Sequence, residues 1–237
     1  STSMETLAVG SALVDAGFIE LINLRKQLAK EYGAKDFVEY QLKNNELSPT
    51  IFDNWQEDLD EMLPLLDEKR KEYANKYLNE EEMMPWDEEY INTQIAPSIN
   101  TTVDMSDYYN VIANFYRLFG FDIDKYSITY DIFPRKNKSQ WGYNFPIEVG
   151  KDSRILANVK NKYYEYRVLL HETGHGVHFF LQDPEESILN AGISGIVTEG
   201  IANLFGGFLY DEMFYKNFFG DEVKEEFAEM AEYDKLS

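Results

Sequence analysis

All three histidines of this chain fall within one short stretch, His171-Glu-Thr-Gly-His175-Gly-Val-His178. No other feature of the sequence constrains the fold as strongly. The first five residues read H-E-x-x-H. On a helix, positions i and i+4 project from the same face, so both imidazoles can bind one ion without backbone strain. The apolar run Val168-Leu169-Leu170 precedes the motif and Val177, Phe179, Phe180 and Leu181 follow it, which predicts a helix buried on most sides. Two histidines facing each other on such a helix are costly unless something pairs them, and a metal ion does so. Glu172 lies about 100° round the helix from His171, placed to reach a water on the metal rather than the metal itself.

A centre of this kind needs a third protein ligand and one open position. Glu199 is the candidate. It stands in an apolar, small-residue segment, Gly195-Ile-Val-Thr-Glu199-Gly200-Ile-Ala-Asn203, where a buried carboxylate without a partner would be expensive. Glycines on both sides of it suit close packing against the histidine helix. Asn203, one turn on, is placed either to hold the tautomer of a ligating histidine or simply to pack as a polar side chain. His178 is read as a core or supporting histidine, because three histidines on one helix do not easily converge on one ion. Two histidines and a carboxylate make one zinc ion per chain the default, with cobalt or manganese able to replace it in vitro. Glu172 would then act as general base in metal-assisted hydrolysis.

The rest of the chain reads as helical around a small sheet. Apolar spacing predicts a helix over residues 13–32 ended by Gly33. A second is predicted from the Ser48-Pro49 cap through Phe52, Trp55, Leu59, Met62 and Leu66 towards Leu78, bent at Pro64. A third is predicted over 107–119, capped by Ser106 and closed by Gly120. Residues 126–133, 141–149 and 155–159 are rich in β-branched and aromatic side chains and predict two or three short strands. Helices return over 163–181, 193–214 and 221–233. The fold class expected is mainly α, with a small β-sheet inserted before the metal-binding helix. The expected division is 1–125, a helical region, and 126–237, the metal region, together forming one structural unit.

Composition narrows the partners. The formal net charge is −21, from 43 acidic and 22 basic residues, so nucleic acid and anionic membranes are disfavoured. The acid is read as a solubilising surface, with a preference for basic peptides as the sharper alternative. Cysteine is absent, which excludes thiolate ligands and a cysteine nucleophile. No apolar run is long enough to span a membrane, and residues 1–17 lack a basic, signal-like start, so the cytoplasm is the compartment expected.

The sequence resembles the thimet oligopeptidase and oligoendopeptidase F family of zinc metallopeptidases, the gluzincins. His171, Glu172, Gly174, His175 and His178 match its H-E-x-G-H-x-x-H helix position by position. Leu24 to Gly33, Pro85-Trp86-Asp87-Glu-Glu-Tyr90 and Tyr143-Asn144-Phe145-Pro146 resemble further family segments. The resemblance implies a zincin-like helical fold around a channel, and a peptidase that cleaves short peptides rather than folded proteins. It implies an edge strand somewhere in 141–159 that takes up substrate by β-addition. It also implies a catalytic-region fragment, since members are much longer and carry oxyanion-stabilising tyrosine and histidine residues beyond the third ligand. Weak activity is expected of such a fragment. The alternative is a zinc-binding but inactive peptide-recognition or scaffold domain.

Overall fold

The computed structural model describes residues 2–95, 102–191 and 193–220; the helix expected over 221–233 lies outside them. The chain is mainly helical with one small sheet, as the sequence predicts. It forms two compact units divided between Asn92 and Thr93.

The first unit holds α1 (Thr2–Asp15), α2 (Phe18–Tyr32), α3 (Phe37–Asn44) and α4 (Trp55–Tyr73), and α5 (Glu88–Ile95) runs across the division. Gly17 at φ 99° separates α1 from α2, where the sequence predicts one continuous helix. Gly33, at φ 84°, closes α2 by donating its N–H to the Ala29 and Lys30 carbonyls. Only glycine adopts such left-handed backbone freely. Ser48 does cap, accepting from the Thr50 N–H at 3.2 Å, but it opens a single 3-10 turn, Pro49–Phe52, and α4 starts afresh at Trp55. Pro64 is accommodated inside α4. Of the stripe expected to face a core, Leu66 is buried while Trp55, Leu59 and Met62 are exposed.

The second unit contains α6 (Tyr108–Leu118), β1 (Ile128–Asp131), β2 (Tyr143–Glu148), β3 (Asp152–Leu156), α7 (Tyr166–Leu181), α8 (Ser187–Ala191), α9 (Gly195–Gly207) and α10 (Glu212–Phe218). Helix α6 belongs here because its apolar face, Val111, Ile112, Phe115 and Tyr116, joins Leu169, Leu170, Phe205 and Phe214 in one core. The sheet order is β1-β3-β2, with β1 parallel and β2 antiparallel to β3. Strand β2 is therefore an edge, which explains how Pro146 is tolerated within it. A turn with Gly150 at φ 70° joins β2 to β3. The sheet packs on α7 through β2 and β3, and among the described elements α9 packs on α7 more extensively than any other pair.

Candidate metal centre

Helix α7 is held from several sides before any ion is considered. At its start the Glu165 carboxylate accepts the backbone N–H groups of Lys160 (2.7 Å) and Lys162 (2.8 Å), satisfying donors just ahead of the helix. The Tyr116 hydroxyl donates to the Leu170 carbonyl at 2.6 Å. Tyr130 and Thr173 share a hydroxyl hydrogen bond of 3.0 Å. Leu169, Leu170, Glu172, Thr173, Gly174, Gly176 and Val177 are buried, so the expectation of a largely buried helix holds, although Leu181 is exposed.

The glycines that let α9 approach α7 are not those flanking Glu199. A methyl at Gly195 or Gly200 would meet nothing within 4 Å, whereas one at Gly174 would lie 3.1 Å from the Ala202 Cα and 3.1 Å from Phe205. One at Gly206 would lie 3.3 Å from the His171 Cβ and from the Arg167 carbonyl. Gly174, Ala202 and Gly206 thus form the contact, and it sets how closely Glu199 approaches the histidines.

The structure brings the expected donors together. The Nε2 atoms of His171 and His175 are 3.2 Å apart, with the rings crossed at 84°. The Glu199 carboxylate reaches His171 Nε2 at 3.4 Å and His175 Nε2 at 3.5 Å. Donors bound tetrahedrally at about 2.0–2.1 Å lie about 3.3 Å from one another, so the three edges match the spacing an ion of zinc's size requires. Among the described residues these three form the one group able to hold a metal; His178 stands outside it but lines the same cleft. Glu199 is corrected in one respect. Its side chain is 59% exposed rather than buried, because the outer face of α9, with Ile196, Val197 and Leu204, also faces solvent.

Electrostatics suit a cation. Burial lowers the pKa of His171, opposed by the Glu199 charge and by a hydrogen bond that the imidazole donates to the Asn203 side chain. Burial and the neighbouring His171 lower that of His175. Both rings therefore tend to be neutral with lone pairs free, the form a metal needs. Asn203 is thus in contact with His171. The Glu172 side chain faces the same cleft, and burial, with the Glu199 charge second, pushes its pKa up to about 7. A cleft of about 700 Å³ takes in Trp141, Tyr143, Glu172, Phe179 and Glu199 together with the histidines. Trp141, Gly142 and Asn144 also line it; they fall in the region, 141–159, expected to supply the edge strand, but none of them carries a residue-specific signal.

No protein-family model matches the sequence, and no curated protein matches it. Among solved structures the fold is similar to one titled "putative oligoendopeptidase F from Bacillus anthracis str. Ames", with a TM-score of 0.57 and 17% identity over 97% of this chain and 43% of that one. The chain thus spans less than half the length of that protein, and at this identity the likeness is one of fold.

Proposed function

We propose that the chain is a zinc metallopeptidase domain acting on short peptides. One observation carries this reading. Three donors converge at tetrahedral spacing, and a buried carboxylate, Glu172, opens into the same cleft. His171 and His175 would hold the ion through Nε2 and Glu199 through its carboxylate. A zinc ion bound there supplies a Lewis acid that activates water and polarises a carbonyl. Glu172 takes a proton from the water whose oxygen adds to the scissile carbonyl carbon, and returns it to the amine nitrogen as the C–N bond breaks. The free edge of β2 borders the cleft through Tyr143, Asn144 and Pro146, and it is the candidate strand for aligning an extended peptide.

Elemental analysis and peptide cleavage test the reading together. One zinc per chain is expected, lost in His175→Ala. Glu172→Gln should keep the zinc and lose about 10²-fold or more in kcat on a quenched-fluorescence peptide. No zinc in the wild-type protein after reconstitution would end the metal-centre reading. Zinc and peptide binding without turnover in either form would leave a scaffold domain instead.

A further inference from the structure

The segment leading into β2 crosses α7 directly over Val168 and Glu172, which are one turn apart on the same face. It is fixed at both ends. The Asn158 side-chain amide donates to the Ser139 carbonyl at 3.1 Å, and the Trp141 N–H donates to the Ser139 hydroxyl at 3.2 Å. Two residues past the crossing, Asn144 Nδ2 donates to the Ser153 hydroxyl at 2.9 Å and to the Glu172 carbonyl at 3.4 Å. Behind Ser139, the buried Lys138 ammonium donates to the Asp131 carbonyl, the Asp131 carboxylate and the Phe133 carbonyl, each at 2.8 Å. The residue at the crossing is Gly142.

Its backbone is not among the positive-φ glycines, so conformation does not demand glycine there. Space does. A Cβ at residue 142 would lie 2.4 Å from Val168 Cγ1, 3.0 Å from Glu172 Oε1 and 3.3 Å from Glu172 Cγ. No side chain fits without displacing the valine, the carboxylate or the strap itself.

We propose that Gly142 is a positioning residue for Glu172: its bare backbone, pinned across α7, walls one side of the carboxylate and confines it to the cleft beside His171, His175 and Glu199. A general base loses rate steeply when it is misplaced by about 1 Å. The catalytic consequence rests on the peptidase reading above; the placement of the carboxylate does not.

The test separates the two contacts a methyl would make. Gly142→Ala alone can fail by clashing with Val168, so the informative variant is Gly142→Ala combined with Val168→Ala, which removes the obstructing methyl groups and leaves the contact with Glu172. Val168→Ala alone is the control. The double variant is expected to bind zinc and to melt close to the control. Its kcat should fall by about 10²-fold with KM held within about twofold. A crystal structure of its metal-free form should show the Glu172 carboxylate swung away from its wild-type position. A carboxylate that stays in place, or one that moves while kcat matches the control, would overturn the proposal. A carboxylate that moves in the variant of a protein whose wild type cleaves nothing would sink the peptidase reading and leave the positional one standing.

Discussion

Two glycines on the paired helices α7 and α9 should respond to the same substitution with opposite signs. An alanine in a helix interior gains about 1 kcal/mol over glycine from the unfolded chain alone. At Gly200 nothing opposes that gain, since the new methyl meets no atom within 4 Å; Gly200→Ala should stabilise the protein by about 0.5–1 kcal/mol. At Gly174 the methyl would stand 3.1 Å from the Ala202 Cα, 3.1 Å from the Phe205 ring and 3.3 Å from the Tyr116 hydroxyl. The first of these is backbone and cannot rotate away, so the helices must part by a few tenths of an ångström. Overpacking of this kind costs about 1–3 kcal/mol, which leaves Gly174→Ala between about neutral and 2 kcal/mol destabilised. The two variants should therefore differ by about 1–3 kcal/mol, or roughly 2–12 °C in melting temperature. The separation also carries Glu199 away from the histidines, so zinc affinity should fall in Gly174→Ala and hold in Gly200→Ala. Thermal melts of metal-free protein and a competitive zinc titration measure both effects. A Gly174→Ala protein that melts as high as Gly200→Ala and binds zinc equally well would refute the claim that this contact sets the donor spacing.

The buried Glu172 gives the metal-free protein a pH signature. Its folded pKa, up at about 7, lies above that of an unfolded glutamate, so between about pH 4.5 and 7 the folded state holds more of the proton and stability falls as pH rises. Comparing urea midpoints of wild type and Glu172→Gln across that range should show this slope lost in the variant; parallel curves would contradict it. Lys138→Met should cost about 2–3 kcal/mol, because it leaves three oxygens that accept from the ammonium without their charged donor, and chemical denaturation reads it directly. Asn203→Leu removes the hydrogen bond to His171 and should weaken zinc binding about 10-fold or more, as measured by competition with a chromophoric chelator.

The candidate metal centre was the most legible part of the sequence, because the chemistry it suggests needs fixed residue types at fixed helical spacing. His171 and His175 had to share a face, and the small-residue context of Glu199 marked it as their partner. What the context could not tell was which small residues make the contact. Gly195 and Gly200 stand beside Glu199 in sequence, but the helical period turns them outward, and Gly174, Ala202 and Gly206 meet instead. The exposure of Glu199 was hidden for a similar reason: apolar neighbours such as Val197 imply burial, and here they face solvent. In the first unit the spacing of Trp55, Leu59 and Met62 reads as a buried stripe, yet periodicity states only that a face exists, not that anything covers it. The sheet was recognised by composition, but the central place of β3 and the edge position of β2 depend on long-range pairing that no local pattern records. Gly142 was silent because its meaning is a volume set by residues 26 and 30 positions away, Val168 and Glu172.

The donors of the candidate centre also lie within one short stretch of the chain, from His171 to Glu199. All three sit on α7 and α9, within one unit, and the chain contains no cysteine. An ion bound by His171, His175 and Glu199 would close a loop of about 28 residues, and because the unfolded chain does not hold the three donors together, its binding free energy would add to the stability of the folded state. Metal loading would then be a folding event for the α7–α9 hairpin as much as a preparation for chemistry. Chelation should accordingly lower the stability of α7 and α9 together with the aromatic core that Phe205 shares with Phe115 and Phe214, so that loss of the ion destabilises the second unit as a whole.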